Sequence, residues 1–592
     1  MFEKLQWVEQ AMARNCRPAG KVTTIPEAVR LHIRPGQTIQ VGDKPYPLGY
    51  PFAVLYELIR QFYGKDPKFN LIMYGGYATT LAPMVYGNMV DKIITTFLGD
   101  PYPAPSPNRI LQKAYADKKI KVEEWTMLTL TLRLMAGALG LPFFPTKSIM
   151  GSSIAENNPN FHEFKEPFDN TTVGLVRALN PDICIVHGWM ADEQGNTVVN
   201  IPLSGNVYGA LASREGVIVS AERIVSTEEV LKYREHIRIP AAIVKAVVEA
   251  PYGSHPSGHP HFPQEAGGYA EDKEFLVNAR EVCRDESKFK EWLEQWILSC
   301  SGHEDYLKKV GYERLSALKG KVYSSAWQTQ LLEKDFLNKP AQPTAEEKMI
   351  VIAARQIKKL VIEKKFDHIL TGVGASHVAS WLAYYMLHEE GQSVTLMTEA
   401  GLYGYVPLPG DSFLFSNRNI PTGEFYSDIF GILGIMVQGN PGKCLGALGA
   451  AQIDCRGNIN STKIPQKDLY LTGSGGGNDV ASGADEVVVV AKQVKSRFME
   501  KVDYITSPGG RMQTLISQLG VFKKNEDDEF VLAGYLEDPL LNEEEIIRQI
   551  REQCGWELKV LPQLEVITQP TPEEIEKLRY LDSDRYFLGQ EK

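Results

Sequence analysis

The chain is poor in cysteine, in positive charge and in long apolar runs. Its seven cysteines (Cys16, Cys184, Cys283, Cys300, Cys444, Cys455 and Cys554) are odd in number and form no Cys-x-x-Cys. That argues against a disulfide framework and suits reduced thiols in a cytoplasmic protein. Lysine and arginine total 63 against 73 acids, a net charge of −10. Nucleic-acid binders usually carry a basic excess, so no such partner is expected. No stretch reaches the roughly 18 consecutive apolar residues of a membrane helix, and no membrane association is expected. Residues Met1 to Pro18 have the pattern of an amphipathic helix without the apolar core of a signal peptide. The remainder is ordinary for a globular chain: 592 residues, 43% apolar and 23% charged. That length suits roughly two to four domains.

Two stretches of the chain alternate strand and helix patterns. In the first, Gly36–Val41 reads as a strand, Phe52–Tyr63 as a helix and Phe69–Met73 as a strand ending in Tyr74-Gly75-Gly76. Strand, helix, strand at this spacing implies a parallel sheet. The pattern continues through Asp91–Leu98, a helix at Leu128–Leu139 and a strand at Ile183–His187. The second stretch repeats it: strand Phe366–Thr371, loop Gly372-Val-Gly-Ala375, helix Ser376–Leu387 and strand Ser393–Met397. Both halves then carry Asp-x-x-Gly-Asn, at Asp192–Asn196 and Asp454–Asn458, followed by β-branched strands at Val217–Val219 and Val487–Val490. The expectation is an internal repeat, two related open α/β domains with largely parallel sheets. The first is assigned to residues 1–320, a linker to 321–343 and the second to 344–592. Residues 511–592 read as acidic, with short helices that wrap the second domain.

Two motifs in the second half carry chemistry. Glu399 stands at the tip of the Ser393–Met397 strand, held by Ala400-Gly401. A carboxylate placed there can be aimed and partly dehydrated, which makes it a usable nucleophile; the plainer alternative is a solvated turn residue. About 75 residues on, Gly473-Ser-Gly475-Gly476-Gly477-Asn478 follows a strand pattern at Asp468–Thr472 and opens a helix. Such a loop exposes backbone N–H groups toward an anion or a ligand that approaches closely. It lacks the lysine of a P-loop and the third glycine of a dinucleotide fingerprint.

These pieces together resemble a known family. Thr398-Glu399-Ala-Gly-Leu-Tyr-Gly404, Gly449–Thr462, Thr472–Asp479 and Arg497–Pro508 resemble the β subunit of glutaconate CoA-transferase, a family I CoA-transferase. Val122-Glu-Glu-Trp125, Ala136–Thr146 and Ala191–Asn196 resemble its α subunit, so the two subunits are fused here. The resemblance implies a NagB/RpiA/CoA-transferase-like fold with the active site between the domains. It implies a carboxylate CoA-transferase, in which Glu399 attacks an acyl-CoA thioester and becomes a glutamyl-CoA thioester before a second carboxylic acid collects the CoA. Coenzyme A, as acyl-CoA, and carboxylic acids are the expected substrates. Gly372 and Gly374 are candidate oxyanion donors. Gln452, Asn460, Gly475, Gly476, Gly477 and Asn478 are candidate CoA contacts. Tyr74, Gly75 and Gly76 occupy in the first half the place of Glu399 in the second and are expected to shape the acid pocket. A homodimer or homotetramer is expected.

The rival within the same family is a ring-opening acyl-CoA hydrolase. It does without the β-subunit glutamate and relies on an α-subunit glutamate, whose place falls on Glu124; Glu123 and Glu124 read equally well as a helix start. A non-catalytic CoA-binding module is a third class, disfavoured by the presence of Glu399. The Gly42–Pro51 loop matches the family poorly, and its Lys44 is a candidate for a carboxylate or a CoA phosphate. The histidines of Pro251–His261 (His255, His259 and His261) lie in a Pro- and Gly-rich loop with no nearby cysteine or acid cluster. They read as structural or pocket-lining, and no metal is expected.

Overall fold

The computed structural model describes residues 6–12, 20–42, 48–156, 158–199, 206–260, 267–323, 325–332, 342–439 and 441–589. Lys44, His261 and residues 333–341 of the expected linker lie outside the described residues. The first half forms strands β1 (Thr38–Gly42), β2 (Phe69–Gly76), β3 (Val90–Leu98), β4 (Lys121–Glu124), β5 (Ile183–Asp192), β6 (Gly216–Val225) and β7 (Val244–Glu249). They pair in the order β4-β3-β2-β1-β5-β6-β7, every pairing parallel. The second half forms β8 (His368–Thr371), β9 (Thr395–Thr398), β10 (Cys444–Gly449), β11 (Glu486–Val490) and β12 (Met512–Ile516). These pair in parallel as β9-β8-β10-β11-β12.

The order β2-β1-β5-β6-β7 is therefore reproduced strand for strand in the second half. Runs such as Ile183–Val186 and Val487–Val489 are buried throughout, as a parallel sheet covered on both faces requires. The two Asp-x-x-Gly-Asn motifs adopt one and the same turn. Asp192 Oδ1 accepts from the N–H groups of Gln194 and Asn196, and Asp454 Oδ1 from those of Arg456 and Asn458. Gly195 and Gly457 supply the left-handed position, at φ 99° and 81°.

The helices that matter for the site are α1 (Met127–Ala138), α2 (Ala345–Lys364), α3 (Ala375–Glu389) and α4 (Gly477–Gly483). Thr126 caps α1 reciprocally with Thr129, and Thr344 caps α2 with Glu347. Helical segments from 273 to 320 pack on the first half, where Tyr306 meets Tyr56 edge-to-face at 5.3 Å. One apolar core runs from Val41 and Tyr50 in the first half to Trp381 and Leu588 in the second. Among the described residues no helix is long and apolar enough to cross a membrane.

Two expectations are corrected. Residues 511–592 contain the expected short helix, at Glu543–Glu552, but do more than wrap the second domain. They add strands β13 (Gly520–Lys524), β14 (Phe530–Leu536) and β15 (Val560–Ile567) to the second sheet, continuing it beyond β12. Phe530-Val-Leu-Ala-Gly-Tyr-Leu536 is buried along its whole length, an apolar run that outweighs the acidic composition around it. Glu123 and Glu124 do not open a helix. They end β4, and α1 begins only after Trp125 and the Thr126 cap.

Candidate active site

Strand β9 ends at Thr398, and the chain turns sharply through Glu399-Ala400-Gly401. Gly401 takes φ 103°, and a Cβ there would lie 2.5 Å from the Ser427 carbonyl, so only glycine lets the turn close. Glu399 is thereby pushed toward the start of α4. It is half-buried, and its carboxylate accepts a hydrogen bond from the Gly476 N–H. A Cβ on Gly476 would stand 1.8 Å from Glu399 Oε2, so any side chain there would displace the carboxylate. Removal from water and the nearby Asp479 charge push the Glu399 carboxyl up to about 8, against the pull of the Gly476 donor.

Asp479 is fully buried in the same first turn of α4. It accepts from Thr126 Oγ1 at 2.6 Å and from the Leu128 N–H at 3.0 Å, both in the first half. Burial raises it to about 6, less those bonds and one from Ser148. Two carboxyls with raised affinity for protons thus flank one helix start, a pattern common at functional sites.

The glycine loop is a seam between the halves. Gly473 bridges Phe97 in antiparallel fashion, and the Leu98 N–H donates to Thr472 O at 2.6 Å. The Gly475 N–H donates to Thr96 O at 3.0 Å, and the Met127 N–H to Gly475 O at 3.0 Å. Gly477 donates to Ser474 O. Asn478 is wholly buried, accepting from the Ile149 N–H at 2.7 Å and donating to Thr506 O at 2.8 Å. Of the expected CoA contacts in this loop, Gly476 is the one that faces Glu399; Gly475, Gly477 and Asn478 are committed to internal bonds. The strand expected before the loop is reduced to Leu469–Tyr470, paired with Lys463–Ile464 outside the main sheet.

The other expected residues are also placed within networks. The Gly372 N–H donates to Ala447 O at 2.9 Å and the Gly374 N–H to His377 Nδ1 at 2.9 Å, so both candidate oxyanion donors are engaged. Gln452 and Asn460 are register partners bonded to each other, Asn460 Nδ2 to Gln452 Oε1 at 2.8 Å. Tyr74, Gly75 and Gly76 are buried at the end of β2. The Tyr74 hydroxyl shares a 2.8 Å hydrogen bond with Thr131 on α1, and Gly75 O accepts from Tyr50.

Glu124 bridges the halves. Lys463 Nζ lies 2.9 Å from Glu124 Oε1, and the Tyr504 hydroxyl donates to Oε2 at 2.5 Å. Glu123 instead stays within the first half, paired with Arg133 at 2.7 Å and with Lys92. Asp479, Lys463 and Tyr504 were not singled out from sequence. Asp479 directly follows the glycine run and carried a usable signal; Lys463 lies 339 residues from its partner and carried none.

A cleft of about 520 Å³ opens between the two halves, lined by His236 and Arg238 on one side and by Phe425, Tyr426, Phe430 and Ile435 on the other. It borders the Glu399 turn through Ser427, whose N–H donates to Gly401 O at 2.7 Å. In the histidine loop, His255 is bonded to Tyr306 and Asp272. His259 instead joins His187 of β5 and Glu222 of β6, so the fold supplies an acid that the local sequence lacks.

Comparison with known proteins gives a consistent pattern. The family model described as coenzyme A transferase matches residues 22–250 and 436–532, more than half of the chain. One of the two subunits of the glutaconate CoA-transferase of Acidaminococcus fermentans is 27% identical over 315 residues, 50% of this chain and 94% of that protein. One of the two subunits of the 3-oxoadipate CoA-transferase of Pseudomonas knackmussii is 29% identical over 266 residues, 40% of this chain and 94% of that one. An acyl-CoA transferase of Escherichia coli O157:H7, solved as a thioester complex with CoA, shares the fold. Its TM-score is 0.63 at 14% identity, covering 93% of this chain and 95% of that one.

Proposed function

Because the chain belongs to the coenzyme A transferase family, we propose that it moves CoA from an acyl-CoA to a second carboxylic acid by way of a covalent adduct on Glu399. The observation that carries this reading is the half-buried Glu399 carboxyl, aimed by Gly476 at a seam between two domains. In its ionised form it is a dehydrated nucleophile. Attack on the thioester carbonyl forms the C–O bond, breaks the C–S bond and leaves a mixed anhydride with CoA thiolate. The thiolate then attacks the Glu399 carbonyl and expels the first carboxylate, leaving a glutamyl-CoA thioester. An incoming carboxylate reverses both steps with its own acyl group. The donors that meet the thioester oxygen come from groups other than Gly372 and Gly374, whose N–H bonds are taken.

The cleft beside Ser427 is the proposed way in for acyl-CoA, with Arg238 and His236 suited to phosphate and Phe425 to an apolar face. Glu124 is held by Lys463 and Tyr504, an arrangement that supports a structural role over the hydrolytic one. The test is kinetic. Double-reciprocal plots for donor and acceptor should be parallel, and hydroxylamine should inactivate only after acyl-CoA has been added. Intersecting plots, or release of free carboxylate and CoA without an acceptor at the full rate, would favour the hydrolase.

A further inference from the structure

We propose that His187, Glu222 and His259 form a binding site for one divalent transition-metal ion of the zinc class. The site is separate from Glu399 and does not depend on the transfer reaction. Its three residues come from three segments that the fold alone brings together. His187 stands on β5 opposite Ser220 of β6, and Glu222 lies two residues beyond Ser220 on the same face. His259 is delivered by the 251–260 loop, which is fastened by reciprocal backbone bonds between His259 and Tyr269 at 2.8 and 3.0 Å. One ligand atom from each residue falls within 4.8 Å of the others.

The geometry points to an ion. The His187 and His259 ring centroids are 5.2 Å apart with planes at 84°. Two imidazoles bound to one tetrahedral ion at about 2.0–2.1 Å hold their centroids about 5 Å apart. The surrounding groups orient ligands as a second layer does at a metal centre. His187 Nδ1 pairs with Ser220 Oγ at 2.9 Å, which leaves Nε2 directed at Glu222 Oε1, 3.0 Å away. The Tyr269 hydroxyl donates to Glu222 Oε1 at 2.7 Å and the Tyr252 N–H to Oε2 at 2.8 Å. His187 and His259 are buried, while the Glu222 side chain keeps 15% of its surface open, room for a water as fourth ligand. Two imidazoles and one carboxylate, with no thiolate, suit zinc over the oxygen-seeking magnesium and calcium.

Such an ion would clamp the 251–260 loop onto the sheet. That loop also presses on the second half, where a Cβ at Gly258 would come 1.8 Å from Asn417 Nδ2. The ion would therefore stiffen the wall between the halves and take no part in bond making.

The test uses the full chain without a histidine tag, stripped with a chelator and titrated with Zn2+ by calorimetry and with Co2+ by visible absorption. One tight equivalent is expected, with the intense visible bands of four-coordinate Co2+. His259→Asn and Glu222→Gln should each weaken Zn2+ binding at least tenfold. Ser220→Ala should weaken it by about 10- to 100-fold. His162→Ala, which removes an exposed histidine, should leave it unchanged. No stoichiometric uptake by the wild-type chain, or only the pale spectrum of six-coordinate Co2+, would overturn the proposal. So would an equal loss in His162→Ala. The wild-type Co2+ spectrum decides the matter even if a variant fails to fold.

Discussion

The two halves of this chain are the same scaffold used for different ends. Each has the strand order β2-β1-β5-β6-β7 or its counterpart, and each has the Asp-x-x-Gly-Asn turn with the same hydrogen bonds. They differ at one equivalent strand tip. In the first half, β2 ends in Tyr74-Gly75-Gly76, buried and bonded to Thr131 and Tyr50. In the second, β9 is followed at once by Glu399, whose carboxyl meets one backbone donor and the Asp479 charge. The first tip is committed to packing; the second carries the carboxyl that the proposed reaction would use. Under the proposed reaction, the nucleophile would owe its reactivity to being so sparsely bonded among the described residues beside the glycine seam.

The difference can be broken most severely at Glu399. Glu399→Gln should abolish transfer, a fall of at least about 1000-fold, and Glu399→Asp should lose about 100-fold or more, because shortening the arm moves the carboxylate by more than about 1 Å. Steady-state rates on one donor–acceptor pair measure both. Gly476→Ala comes next. Its methyl would occupy the position of Glu399 Oε2, and a displaced nucleophile costs about 100-fold while the helix start stays intact.

The pH dependence sharpens the contrast further. Glu399 attacks only when ionised, so kcat/KM for acyl-CoA should climb with pH and level off above about 8. Asp479→Asn removes a charge that raises Glu399, and the rising limb should move to lower pH. A limb that stays in place would show that burial alone sets the protonation of Glu399. The same shift has a stability consequence. The folded state holds the Glu399 proton up to about 8, whereas the unfolded chain releases it near 4.5. Folding stability contributed by this group is thus lost as pH rises between those values. Glu399→Gln should accordingly melt higher than the wild type at pH 8, with the gap closing toward pH 5.

The smallest effects belong to the structural half of the comparison. Lys463→Met leaves Glu124 without its cation and should cost about 1–2 kcal/mol, reduced from the fully buried case because Lys463 retains 26% of its side-chain surface. Tyr74→Phe should cost about 1 kcal/mol for one buried hydrogen bond, with adduct formation on Glu399 unchanged. A large loss of turnover in Tyr74→Phe would instead give the first strand tip a direct part in the chemistry.

Much of this was legible in the sequence because it is local. The β-branched runs, the paired Asp-x-x-Gly-Asn turns and the Glu-Ala-Gly turn after a strand all announce themselves within a few residues. What escaped is relational. The glycine run reads as a ligand cradle, yet the Gly475 N–H is taken by Thr96, almost 380 residues earlier in the chain. Gln452 and Asn460 look available for a cofactor until the strand register pairs them. The short helix of residues 511–592 was legible from its charges, but the strands were not, because β12 to β14 hide their apolar faces in the sheet. Glu222 could not be joined to the histidine loop from sequence, since only the β5–β6 register places it there.

The central claim is that Glu399, and no other side chain, becomes bonded to coenzyme A during turnover. Mass spectrometry of proteolytic peptides, after brief incubation with an acyl-CoA and borohydride reduction, tests it most directly. The account predicts that the peptide carrying Glu399 alone exchanges one oxygen for two hydrogens as its thioester is reduced to an alcohol, and that Glu399→Gln shows no change. An unmodified Glu399 peptide under conditions that yield product would contradict it.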